Sequence, residues 1–295
     1  MAMRSERLVV HALVVLTLVM LTLVVLLVVL ARGSLVRAHD LGDATGGLGR
    51  GQPTGYGRTR RPVTDRRFSP TDELQSSAVA ESSPYLTATA DAYDAVADLY
   101  ADLARDSLDR LPLDRAMVAV FAELVRAAGP RPVVEAGCGP GYMTAHLRDL
   151  GLDAFGVDLS PALIDIARKD HPDLRFELGS MGAFDVADGE LGGLVSWYSV
   201  IHIPPPELPP YFAEFRRVLA PGGYLLLGFF ESEGGPVQQF DHKVTPAYRW
   251  PIDDLAALAR EEEFVEVGRM LREPLEDERF RRGHLLMRRQ AAAVS

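Results

Sequence analysis

The chain has 295 residues, 47% of them hydrophobic and 24% charged, which suffices for a buried core in one domain of about 200 residues plus an extension. Its net charge of −10 is uneven: residues 1–70 carry ten arginines against four acids, leaving 21 cations against 37 acids for the remainder. An acidic folded part argues against non-specific nucleic-acid binding, and a single cysteine, Cys138, excludes an internal disulfide and a thiolate zinc cluster.

The first element is the uncharged run LVVHALVVLTLVMLTLVVLLVVL, residues 8–30. A helix of about 20 such residues spans the hydrocarbon core, and no small-residue cleavage site follows Leu30. The literal reading is a transmembrane anchor. More arginines follow the run than precede it (Arg4 and Arg7), which places the bulk of the chain in the cytoplasm. A competing reading is a start codon assigned too far upstream, which leaves a soluble cytoplasmic protein. Residues 31–84 are rich in Gly, Ser, Thr, Pro and Arg without apolar periodicity, so they read as a disordered linker. The chain therefore divides into 1–84 and a folded domain over 85–290.

From Tyr85 the texture changes. ATADAYDAVADLYADLARDSLDRL reads as one helix, and PLDRAMVAVFAELVRAAGP as a second, closed by Gly129 and Pro130. Short apolar strands then alternate with helices. The strands are 132–136, 154–158, 174–178, 193–198 and 223–230; the helices are 142–150, 161–169 and 207–219. Pro161 behind Ser160 is a good helix start. Such alternation predicts a parallel sheet with helices on both faces. A further helix over 252–262 and two β-like runs, FVEVGRML and HLLMRR, close the domain.

The chemistry concentrates in VVEAGCGPGYMTAHL, residues 133–147. Glycines at 137, 139 and 141 permit a tight turn with bare backbone against a ligand. A phosphate loop would need G-x-x-x-x-G-K-[ST], which is absent. A dinucleotide turn would put its third glycine where Tyr142 stands, and Pro140 has no N–H to offer a phosphate. The pattern is E-x-G-x-G-x-G. An acid two residues before the first glycine suits a cationic ligand such as S-adenosylmethionine. Asp158, ending the second strand in FGVDLS, can take ribose hydroxyls but serves NAD equally well.

These segments carry a resemblance. VVEAGCGPGYMTAHL, FGVDLSPALIDIAR and RVLAPGGYLLLGFF, in that order, resemble three motifs of class I S-adenosylmethionine-dependent methyltransferases, specifically the small-molecule type with a methyltransferase 11/25-like domain. The resemblance implies a Rossmann-like, seven-stranded, mostly parallel α/β sheet with its last strand antiparallel. It implies that S-adenosyl-L-methionine is the cofactor and a small molecule the methyl acceptor. Gly137 and Gly139 should lie under the methionine part of the cofactor, with Glu135 nearby. Asp158 should hold the ribose and Leu159 should pack on the adenine. Ser180 and Met181 stand where the family often has Gly-Asp facing the adenine amine. Trp197 resembles the residue whose carbonyl meets the cofactor ammonium. Tyr93 and Tyr100 resemble tyrosines of a helix that closes over the site, although their seven-residue spacing equally suits a core stripe. Cys138 reads as a small buried residue within the turn rather than a nucleophile.

Methyl transfer needs mainly positioning and exclusion of water, and a base only for a protonated acceptor. His202, in SVIHIPPPE, is the candidate base; its plainer reading is a loop-ordering residue. His242 and the run Tyr248-Arg249-Trp250 share the segment that usually builds the acceptor pocket, and a solvated linker is the plain reading there. No metal site is expected. The alternatives are an NAD-dependent oxidoreductase and a membrane-tethered cofactor-binding domain without catalysis.

Overall fold

A computed structural model describes residues 83–291; the apolar run 8–30 and the linker up to residue 82 lie outside the described residues. In chain order the domain runs α1 (Pro84–Asp94), α2 (Ala97–Ala104), α3 (Pro112–Ala128), β1 (Val133–Ala136), α4 (Tyr142–Asp149), β2 (Ala154–Asp158), α5 (Pro161–Asp170), β3 (Arg175–Leu178) and β4 (Leu191–Trp197). It continues through α6 (Pro209–Val218), β5 (Leu219–Phe230), β6 (Gln238–Asp241), β7 (Pro246–Arg249), α7 (Ile252–Glu261), β8 (Phe264–Arg272) and β9 (Arg282–Arg289). Among the described residues no helix is long and apolar enough to cross a membrane.

Seven strands form one sheet in the order β3-β2-β1-β4-β5-β9-β8. β1 to β5 pair in parallel, whereas β9 pairs antiparallel with both β5 and β8. The last strand in the chain is thus the one reversed strand of this sheet, as expected. Side chains that alternate along the strands feed two cores. Val134, Leu225 and Leu227 join Phe212, Phe215 and Leu255 of α6 and α7 on one face. Val133, Val195 and Leu226 join Phe121 and Val125 of α3, with Met143 and Leu147 of α4, on the other. The strand order reverses between β1 and β4, so the crevice of this α/β sheet opens at their carboxyl ends.

Two expectations fail here. The helix read over 88–111 is broken: Val96 leaves the helical region (φ −127°, ψ 15°), separating α1 from α2. At the break Asp94 turns to α5, accepting hydrogen bonds from Ser160 Oγ and from the Ala162 N–H (3.1 Å). A distant helix end, short of partners for its first N–H groups, outcompetes helix continuation. The stretch after β5 is not a solvated linker. β6 and β7 form a separate antiparallel hairpin, with Ala247 and Trp250 buried against the core. Four-residue strands of half-exposed residues carry too little apolar pattern to be read from sequence.

Candidate active site

The loop between β1 and α4 sits at the switch point. Gly137 and Gly139 adopt φ of 76° and 51°, a region costly for any residue with a β-carbon. A β-carbon at Gly137 would also overlap Ser199, whereas one at Gly139 would meet only the Tyr100 ring at 3.6 Å. The turn is therefore held tightly from behind and left bare towards the crevice. Cys138 between them is buried, its side chain in a small cluster with Ile164, Ala167 and Phe176. Burial pushes its thiol far above the ordinary range, so it is no nucleophile.

Two acids flank this turn. Asp158, at the end of β2, accepts the Gly139 N–H at Oδ2 (2.7 Å) and the Ser160 N–H at Oδ1 (2.9 Å). Burial raises its pKa, with those N–H groups pulling the other way. Glu135 in β1 is buried and accepts the Thr144 hydroxyl at Oε2. Burial, partly offset by that hydroxyl and reinforced by Asp158, lifts it to about 8. Among the described residues no cationic side chain bonds to either acid. Two desolvated carboxyls without a counter-ion favour a positively charged ligand, and this donor set fits the sulfonium and ammonium of S-adenosylmethionine.

Cavities open on both sides of the turn. The first, the smaller, is lined by Asp158, Leu159, Ser180, Met181, Tyr93 and His202, among others. The second, the larger, is lined by Glu135, Cys138, Phe230, His242 and Arg282, among others. Gly137, Gly139, Tyr100, Trp197 and Tyr198 line both. The structure thus brings together all the residues expected around the cofactor, but divides them between two faces of one loop.

The tyrosines and the histidine behave differently from expectation. Tyr93 and Tyr100 lie on separate helices, α1 and α2, rather than along one helical face. Their rings still meet edge to face at 5.1 Å. Burial raises both phenols, Tyr100 to about 12, so both stay protonated at neutral pH. His202 Nδ1 lies 3.1 Å from the Pro246 carbonyl, which can only accept, so Nδ1 carries the proton. Bare Nε2 then accepts the Tyr93 hydroxyl at 2.8 Å. Burial, with His242 beside it, pushes His202 down to about 4. Both ring nitrogens are spent on tying α1 to the hairpin. This accords with the plainer reading of His202 as a loop-ordering residue.

Several lining residues escaped the sequence reading. Tyr85 and Tyr211 share a 2.5 Å hydrogen bond at one end of the first cavity. Tyr198 adopts φ 57°, an uncommon conformation for a bulky residue, and its hydroxyl is buried without a partner. Behind the second cavity, Arg272 bonds to buried Asp114 (2.7 Å) and to Glu278 (2.6 Å), and Arg282 reaches Glu278 at 3.2 Å. Only the left-handed Tyr198 left a trace in the sequence, as the residue directly after an apolar strand.

Residues 133–223 match the family model described as a methyltransferase domain. Malonyl-[acyl-carrier protein] O-methyltransferase of Serratia marcescens is 31% identical over 121 residues, 37% of this chain and 44% of that protein. Magnesium-protoporphyrin O-methyltransferase of Rhodobacter capsulatus is 42% identical over 91 residues, 29% of this chain and 39% of that protein. The chain thus spans less than half the length of these two curated relatives. The Burkholderia thailandensis 1,6-didemethyltoxoflavin-N1-methyltransferase, solved with its substrate and S-adenosylhomocysteine, shares the fold: TM-score 0.55, 21% identity, 78% of this chain and 94% of that one. With the motifs and the strand order, these relatives mark residues 133–223 as a methyltransferase domain of the class I S-adenosyl-L-methionine-dependent kind.

Proposed function

We propose that the protein transfers the methyl group of S-adenosyl-L-methionine to a small-molecule acceptor. The observation that carries this reading is a pair of acids, buried Glu135 and half-buried Asp158, on either side of a bare glycine turn with a cavity on each face. When bound, the cofactor supplies a methyl carbon activated by positive sulfur. Asp158 keeps lone pairs beyond those used by Gly139 and Ser160, and these hold the ribose hydroxyls. Leu159 would pack on the adenine, Ser180 and the Met181 backbone would face its amine, and Glu135 would sit near the charged end of the cofactor. Tyr93 and Tyr100 close the site and exclude water, which strengthens every charge interaction inside it.

The acceptor enters from the larger cavity, the side away from Asp158 and Leu159. Relatives that act on a malonyl group borne by acyl-carrier protein and on magnesium protoporphyrin support an acceptor that is a small moiety, free or carrier-bound. An NAD-dependent oxidoreductase is disfavoured, because Tyr142 occupies the third-glycine position and bonds outward to Asp170. Calorimetric titration separates the two: S-adenosylhomocysteine should bind at micromolar concentration and NADH should not, and the reverse result removes the proposal. The uncharged run 8–30 supports a membrane tether for this domain, in line with its length. Recovery of the full chain wholly in the soluble fraction would remove the tether and leave the enzyme reading untouched.

A further inference from the structure

Trp197 and Tyr198 stand between the two cavities, and Tyr198 keeps a left-handed backbone that a bulky residue holds only where its surroundings dictate it. Those surroundings reach well outside the cavities. In the sheet, Trp197 of β4, Gly228 of β5 and His284 of β9 sit side by side in one row. Gly228 leaves the space over β5 open, since a β-carbon there would come within 3.0 Å of the indole. The indole therefore crosses β5 and rests on the His284 ring, with centroids 5.0 Å apart. Two residues further along β5, Phe230, Arg282 of β9 and Arg272 of β8 form a second row. The Arg282 guanidinium lies over the rings of Phe230 (4.3 Å) and Tyr198 (5.1 Å).

Both rows are held from one point. Asp114, buried in the first turn of α3, has Oδ1 3.2 Å from His284 Nε2 and accepts the Arg272 Nε–H at Oδ2 (2.7 Å). Among the described residues neither Oδ1 nor Nε2 has another polar partner. Arg272 extends the hold to Glu278 (2.6 Å), and Glu278 extends it to Arg282 (3.2 Å). Burial would raise the pKa of Asp114, but His284 and Arg272 outweigh it and keep the carboxyl below its ordinary value. Asp114, His284 and Arg272 line neither cavity, so they have no direct contact with a ligand there.

We infer that Asp114 is a positioning residue for the cofactor site: through His284 it fixes Trp197, and through Arg272, Glu278 and Arg282 it fixes Tyr198. What that fixed wall serves rests on the methyltransferase reading above. Buried ion pairs are weak devices for stability, since an apolar cluster of the same volume often does as well. Position is what this one supplies, because two branches from a single carboxylate end on adjacent residues of one strained peptide.

The test uses the full chain carrying Trp250→Phe, so that all indole emission comes from Trp197, the second of the two tryptophans. Asp114→Asn should make Trp197 more readily quenched by acrylamide in the ligand-free protein. It should also weaken S-adenosylhomocysteine binding by about tenfold, within the usual range for a buried network coupled to a site. His284→Phe keeps a ring under the indole but cuts its link to Asp114, and should change both readings in the same direction. The double variant should be no worse than Asp114→Asn alone, because both substitutions break one contact. Val125→Ala loosens α3 away from the network and should change neither reading. Equal effects of Asp114→Asn and Val125→Ala, or additive effects of Asp114→Asn and His284→Phe, overturn the inference. If Asp114→Asn does not fold, His284→Phe against Val125→Ala makes the same decision. Wild type that binds no S-adenosylhomocysteine defeats the methyltransferase reading, and the quenching comparison still decides this one.

Discussion

The two cavities beside the glycine turn are built differently. Around the smaller one, polar groups are satisfied by neighbours in the chain: Asp158 binds Gly139 and Ser160, and Ser160 caps α5 through the Leu163 N–H at 3.1 Å. It is also closed across the chain, by Tyr93 with His202 and by Tyr85 with Tyr211. Around the larger one, the wall comes from the α2–α3 segment, the glycine turn, α4, the ends of β4 and β5, His242 and β9. Buried ion pairs stand behind it, Arg272 with Asp114 and with Glu278.

The comparison breaks most severely if the larger cavity does not depend on its ion pairs. Asp114→Ala leaves the Arg272 guanidinium buried with one partner removed, and should lower stability by about 3–5 kcal/mol in urea unfolding. A change under 1 kcal/mol would mean that the wall is held by packing alone. Next, Asp158→Ala should weaken S-adenosylhomocysteine binding by about 1–3 kcal/mol, read by calorimetry, through lost hydrogen bonds. Unchanged affinity would show that the ribose is held elsewhere. Asp94→Ala removes the side chain that joins α1 to the start of α5, and should cost about 0.5–2 kcal/mol of stability by thermal melting. A last prediction sharpens the electrostatics. Glu135 is lifted to about 8 by burial, so the folded protein holds a proton there that the unfolded chain loses near the ordinary carboxyl value. Its contribution is full in acid and is lost as pH climbs towards about 8. Wild type should therefore lose stability over that range by more than Glu135→Gln. Binding of a cationic cofactor at pH 7 should release up to one proton, seen as a buffer-dependent binding enthalpy absent in Glu135→Gln.

The strand–turn–helix at 133–149 and the capped helix at Ser160-Pro161 were legible from local pattern, whereas the reversed last strand came only from the family resemblance. The first two depend on interactions a few residues long: glycine dihedrals, an N-cap, an alternation of apolar side chains. The break at Val96 was not legible, because the helical pattern runs unbroken through it and the competing partner, Ser160, lies 66 residues away. The hairpin was missed for want of apolar alternation in strands of four residues each.

His202 marks the same divide at the level of chemistry. Its residue type and its place after β4 are sequence facts, and they made it a reasonable base. Only the fold decided that Tyr93 and the Pro246 carbonyl would occupy both its nitrogens. By itself the sequence determined the glycine turn, its two acids and the cofactor they suit, because backbone freedom and charge are properties of the residues present. The tertiary structure alone decided that Tyr93 and Pro246 would meet His202 from two sides, because a hydrogen-bond partner is a matter of which distant segments meet.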